Sequence, residues 1–169
     1  MNPFWLPSLE HISTITTDTT MTIMATCKTV PECCPRCGTV DKLYRHGPDW
    51  RAFRDTPSFP HHVIFRLKVQ RWKCRECSVT FSQDLPDMDE HRQMTKRCVA
   101  YIQHHGIART FSDIAREVGV DEKTVRQICT ERFAAQMAEW GLWAPRLLGI
   151  DELMLGGEMR GIFVDLGGK

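Results

Sequence analysis

Cys34-Pro35-Arg36-Cys37-Gly38 and Lys73-Cys74-Arg75-Glu76-Cys77 are two Cys-x-x-Cys pairs separated by the 36 residues 38–73. Their reading decides the fold. Cysteines at i and i+3 on a tight turn aim both sulfurs at one point, and zinc takes four such ligands in a tetrahedron. Pro35 pre-sets φ in the first turn, and Gly38 accepts a positive φ as the chain leaves it. Cys34, Cys37, Cys74 and Cys77 are therefore expected to hold one structural zinc ion. The long insert must carry strands of its own, so the prediction is a zinc ribbon with knuckles at the ends of paired β-hairpins. Cys33 is the competing neighbour of Cys34, and His46, His61 and His62 are the substitute ligands.

Redox dithiols or secreted disulfides are the other reading of the cysteines. Neither pair opens a helix in a βαβ pattern. Cys27, Cys33, Cys98 and Cys129 follow no regular spacing. The N-terminus lacks a basic segment followed by an apolar run, so a reducing cytoplasm is expected. Of the 169 residues 25% are charged, and no apolar run is long enough for a membrane helix. The formal charge of +1 is unevenly spread: residues 31–82 hold 10 Lys/Arg against 5 Asp/Glu, 83–146 hold 9 against 10, and 147–169 hold 2 against 4. A basic excess in the cysteine module suits a polyanion.

Working outward, residues 1–20 are Thr-rich after Phe4, Trp5 and Leu6 and read as a disordered or loosely docked arm. Met21–Val30 is β-prone and leads into the first knuckle. His62–Trp72 alternates Val63, Phe65, Leu67 and Val69 with Ile64, Arg66, Lys68 and Gln70, a strand with one packed and one cationic face. Cations interleaved with Tyr44, Trp50, Phe53 and Trp72 suit nucleic-acid contacts. Arg54, Arg66, Lys68, Arg71 and Lys73 are the candidates here.

After the acidic connector from Pro86, Thr95 caps a helix with Cys98, Tyr101 and Ile102 inward. Thr110-Phe111-Ser112-Asp113 matches a capping box, followed by the stripe Phe111, Ile114, Ala115 and Val118. Gly119-Val120 turns the chain, and Asp121 caps a third helix with Val125, Ile128 and Cys129 inward. This is a helix-turn-helix whose outer residues Lys123, Thr124, Arg126, Gln127 and Thr130 are placed to meet bases and phosphates. Phe133–Trp143 continues helically up to Pro145. Leu147–Ile150 reads as a short buried strand ending in Asp151-Glu152, and Gly156-Gly157 turns a hairpin. The fold class is α+β and multi-module. Its expected parts are an arm at 1–20, a ribbon at 21–85, a helix-turn-helix region at 86–144 and a β-hairpin at 145–169.

In this order the parts resemble the ISL-three family of bacterial insertion-sequence transposases. The carriers are Cys34-Pro-Arg-Cys37-Gly38, Phe53-Arg-Asp-Thr-Pro57, Arg71-Trp-Lys-Cys74 through Cys77, Thr80-Phe81, Phe111-Ser-Asp-Ile-Ala115, Lys123-Thr-Val-Arg126 and Leu148-Gly-Ile-Asp-Glu152. The resemblance implies a bacterial, nucleoid-associated protein that binds double-stranded DNA at the terminal inverted repeats of its element. It also implies that 145–169 begins an RNase H-like domain with a DDE carboxylate set. Asp151 then stands at the first catalytic position, and a complete domain would use Mg²⁺ in a two-metal site. The family pattern departs after the first hairpin, so this chain alone is expected neither to cleave nor to join DNA. A homodimer or association with a full-length transposase stays open. The alternatives are a zinc and helix-turn-helix transcriptional regulator that takes no part in transposition, and a small zinc-bound module that binds protein.

Overall fold

The computed structural model describes residues 6–141 and 147–167. Phe4, Trp5, Trp143 and Pro145, which figure in the expectations above, lie outside the described residues. The chain divides after Thr130 into two compact units.

The first unit is built on β4 (His62–Cys74), whose Val63, Phe65, Leu67 and Val69 are all buried, as the alternation predicts. Antiparallel β3 (Leu43–Arg54) covers one edge of β4, from Leu43 opposite Cys74 to Arg54 opposite Ile64. Two strands share the other edge. β2 (Thr20–Cys27) runs parallel to residues 62–68, and β5 (Thr80–Ser82) pairs antiparallel with residues 71–73. The short strands β6 (Met88–Asp89) and β7 (Met94–Thr95) extend the sheet beyond β3. Ile23, Ala25, Phe53 and the four β4 residues pack with Leu6, Leu9, Leu85 and Met88 in one apolar cluster.

The N-terminal arm is corrected. β1 (Leu9–Thr16) pairs antiparallel with β2 and forms the edge of the sheet. Leu6 and Leu9 are buried while the rest of β1 is exposed. Ladder hydrogen bonds and one anchoring side chain, rather than an apolar stripe, hold this strand.

The helices follow the capping signals. Thr95 Oγ1 accepts from the Cys98 amide at 3.1 Å and starts α1 (Lys96–His105). Thr110 Oγ1 accepts from the Asp113 amide at 3.3 Å and starts α2 (Phe111–Val118). Gly119 leaves α2 at φ +78°, where a Cβ would also come within 3.0 Å of His62 Nδ1. Asp121 accepts from the Thr124 amide at 2.8 Å and opens α3 (Glu122–Glu139). Ile114, Ala115, Val118, Val125, Ile128 and Cys129 are buried, as the stripes require.

The ribbon strands and the helices α1 and α2 lie before the division at Thr130, which falls within α3. Asp55, wholly buried just past β3, joins them. Its carboxylate accepts from Thr95 Oγ1 at 2.6 Å, from Arg97 Nε at 2.8 Å and from the Arg97 guanidinium terminus. Thr95 is also the cap of α1, so one carboxylate fixes both where that helix starts and where it sits.

The second unit, Glu131–Lys169, contains the hairpin β8 (Leu148–Leu155) and β9 (Glu158–Asp165). The expected buried strand is corrected here, since Leu148 and Ile150 are 50% and 67% exposed. Nor does the strand end at Asp151, which sits mid-strand opposite Ile162.

Removing one partner of a buried ion pair costs about 3–5 kcal/mol. Asp55→Ala should therefore lower stability by about 3 kcal/mol and shift the urea midpoints of sheet and helix signals together. A midpoint within error of wild type would contradict the role given to Asp55.

Candidate metal centre and nucleic-acid interface

Both knuckles are built the same way. In the first, the Gly38 amide donates to the Cys34 carbonyl and the Cys34 amide to the Thr39 carbonyl, each at 2.9 Å. In the second, the Cys74 amide donates to the Val79 carbonyl at 3.0 Å. The residue after each pair takes a positive φ, +72° at Gly38 and +59° at Ser78. The second knuckle is the turn between β4 and β5, whereas the first leads through residues 40–42 into β3 rather than capping a hairpin of its own. Lys42 and Glu76 close the gap between them with a 2.5 Å ion pair.

The sulfurs of Cys34, Cys37, Cys74 and Cys77 lie within 4.8 Å of one another. Cys34 and Cys77 are 3.6 Å apart, Cys37 and Cys74 3.7 Å. Disulfides need about 2.05 Å, which excludes them here. Metal–sulfur bonds of about 2.3 Å in a tetrahedron give edges of about 3.8 Å. The cage therefore fits a structural zinc ion. Cys34 and Cys74 are buried, and Cys37 is exposed. The Thr39 hydroxyl and amide hold the Cys37 thiol down to about 6. Among the described residues, these four are the only such group of potential metal ligands. Cys33 is exposed outside the cage, and His62 is engaged elsewhere, its Nδ1 donating to the Glu117 carbonyl at 3.0 Å. Cys98 and Cys129 belong to the helical core. Burial pushes the Cys98 thiol up to about 12 and raises that of Cys129 as well.

The cationic candidates fall into two groups. Strand alternation and register put Arg54, Arg66 and Lys68 on the face of the sheet turned away from the apolar cluster, together with Trp50 and Ala52. Arg71 and Lys73 have the opposite parity and project from the other side of β4. Among the described residues, none of these five cations is paired with a carboxylate. The outward face ends in a groove lined by Ala52, Arg54, Ile64, Gln93, Asp121 and Thr124, so its far end meets the start of α3.

On α3, Lys123, Arg126, Gln127 and Thr130 are exposed, one face at i, i+3, i+4 and i+7. Arg126 is paired with Glu122 and lies 5.4 Å from the centre of the Phe111 ring. Thr124 is half-buried, and its hydroxyl donates to the Asp121 carboxylate at 2.9 Å. Thr124 thus completes the cap, and its hydroxyl is already committed there. Asp151 is exposed, its carboxylate accepting from the Glu152 amide at 2.8 Å. The described acidic residues gather into no metal-binding group around it.

Comparison with known families matches two successive segments of the chain. Residues 31–77 match the family described as the zinc-finger of transposase IS204/IS1001/IS1096/IS1165. Residues 83–132 match the helix-turn-helix domain of transposase family ISL3. No curated protein and no solved structure matches the chain. No described helix is long and apolar enough to cross a membrane.

The sheet has an apolar cluster independent of the metal, so chelation should loosen the knuckles rather than melt the ribbon. Hydrogen exchange after chelation should speed up at the Cys34, Gly38 and Cys74 amides and leave those of Phe65 and Leu67 protected. In metal-free protein at pH 7, iodoacetamide should modify Cys37 well before Cys98 or Cys129, because only its lowered thiol is largely thiolate there. Zinc should suppress that modification. Unchanged exchange and labelling on metal removal would disprove the cage.

Proposed function

We propose that this chain, which carries the zinc ribbon and the helix-turn-helix of the ISL3 transposases, recognises the terminal inverted repeats of an insertion element. It does so by binding one DNA duplex along the outward face of its sheet and across α3. The observation that carries this reading is the continuity of the two surfaces: the face bearing Arg54, Arg66 and Lys68 runs into a groove that Asp121 and Thr124 of the α3 start also line.

The parts divide the work by chemistry. Arg54, Arg66 and Lys68, paired with no carboxylate among the described residues, are charges on one face of the sheet, suited to phosphates and indifferent to sequence. Lys123, Arg126, Gln127 and Thr130 offer donors and acceptors along one helix face, the requirement for reading base edges in the major groove. Asp121 and Glu122 make the first turn of α3 acidic, so the reading residues are those one turn further on. Asp151 would be a metal-binding carboxylate only with partners that the described residues do not supply. The activity assigned to this chain is therefore binding, with cleavage and strand transfer left to a complete carboxylate set.

Selection from a random duplex library should enrich sequences matching the inverted repeats that flank the gene. Lys123→Ala and Gln127→Ala should each weaken the selected duplex about tenfold while sparing non-specific binding. Arg66→Gln and Lys68→Gln should each reduce the slope of log K against log salt by about 0.9, while Arg71→Gln on the opposite face should leave it nearly unchanged. A library without enrichment, or salt slopes insensitive to Arg66 and Lys68, would refute the assignment.

A further inference from the structure

At the end of β4 nearer the cysteine cage, the outward face holds a second groove of about 280 Å³. Its lining includes Thr26, Lys28, Arg45, Lys68, Gln70 and Trp72. Arg45 stands opposite Trp72 in the β3–β4 ladder, with its guanidinium 5.9 Å from the centre of the indole ring. Trp72 Nε1 is buried and has no hydrogen-bond partner among the described residues. Buried polar groups are nearly always partnered. An indole nitrogen is only a donor, so whatever completes it must be an acceptor. Arg45 and Lys68 line it and no carboxylate does, which selects an anion.

We propose that this groove seats one internucleotide phosphate of DNA, whose oxygen accepts from Trp72 Nε1 and whose charge is met by Arg45 and Lys68. The proposal rests on the DNA-binding reading above and assigns a contact for which that reading names no residue but Lys68. Position favours a phosphate within a strand over a free ion. Ile64 lines the groove beside α3 and Gln70 lines this one, six residues apart on the same face. At about 3.3 Å per residue this is roughly 20 Å, or about six steps of a strand rising 3.4 Å per nucleotide. One DNA strand following β4 would thus touch α3 at one end and Trp72 at the other.

The test measures binding of the zinc-loaded full chain to a labelled duplex by fluorescence anisotropy. Trp72→Phe keeps an aromatic ring and removes the donor, so it should weaken binding roughly tenfold with an unchanged salt slope. Arg45→Gln, at an exposed position, should instead lower the slope by about 0.9. In a scan of single neutral methylphosphonate linkages, one position should weaken wild type and cost Arg45→Gln markedly less. Wild-type affinity in Trp72→Phe, or an unchanged slope in Arg45→Gln, would overturn the proposal. So would inorganic phosphate that quenches Trp72 while the variants bind DNA normally, which would make this a free-phosphate site. If Lys123→Ala and Gln127→Ala weaken binding while the groove variants do not, the groove assignment fails and the DNA reading stands. If wild type binds no DNA, both fail.

Discussion

Asp55 is a carboxylate with no exposure to solvent, and such a charge is tolerated only when its oxygens are fully engaged. The donors that engage it come from residues 40 and 42 positions later, at the junction of β7 and α1. The hydrogen bonds therefore specify a tertiary relation, the placement of the first helix against the end of β3. This accounts for a run that otherwise looks arbitrary. In Phe53-Arg54-Asp55, Phe53 fills the apolar cluster, Arg54 emerges on the outward face, and Asp55 turns inward to hold the helices.

The cysteine cage is the second constraint, and it acts at the other end of the same pair of strands. Leu43 faces Cys74 where β3 and β4 meet the knuckles, while Arg54 faces Ile64 beside Asp55. The β3–β4 ladder is thus pinned by sulfur at one end and by a buried ion pair at the other, with the apolar cluster beneath it. A surface fixed at both ends keeps its cations in register, as a charge pattern that must match regularly spaced phosphates requires. Metal and carboxylate are not redundant: the cage orders the knuckles, and Asp55 orders the helices.

Sequence patterns exposed these features unevenly, for physical reasons. The cage was legible because ligand spacing is local, and the caps at Thr95, Thr110 and Asp121 because capping is a matter of three residues. β4 was legible because four alternate positions, Val63, Phe65, Leu67 and Val69, are all buried. β1 was not, because Leu9 is its only buried residue and Ile12 and Ile15 face solvent at 51% and 59% exposure. Such a strand carries no periodic signal. Asp55 was hidden because its partners lie 40 and 42 residues later, beyond the reach of any local pattern. The opposite sidedness of Arg71 and Lys73 was within reach, since period two fixes it once Val63–Val69 are known to face inward. Asp151 was expected at a strand end, but the ladder from Leu148 to Leu155 shows that pairing, not the acidic residue, sets where β8 stops.

Segment charge located the basic region but could not say which of its charges are available. Arg51 is paired with Glu90, Arg92 with Asp89, Arg97 with Asp55, Arg109 with Glu117 and Arg116 with Asp113. Those pairs cluster around the junction with the helices and on α2, where they neutralise the surface locally. Arg66 and Lys68 face solvent with no carboxylate opposite them in the ladder, since their cross-strand neighbours are Met24, Ala52, Thr26 and Trp50. Surface ion pairs contribute little stability, so leaving these cations unpaired costs the fold almost nothing. It does leave the sheet with a concentrated positive field on one side. The selective placement of acids, more than the number of basic residues, is what makes this face receptive to a polyanion.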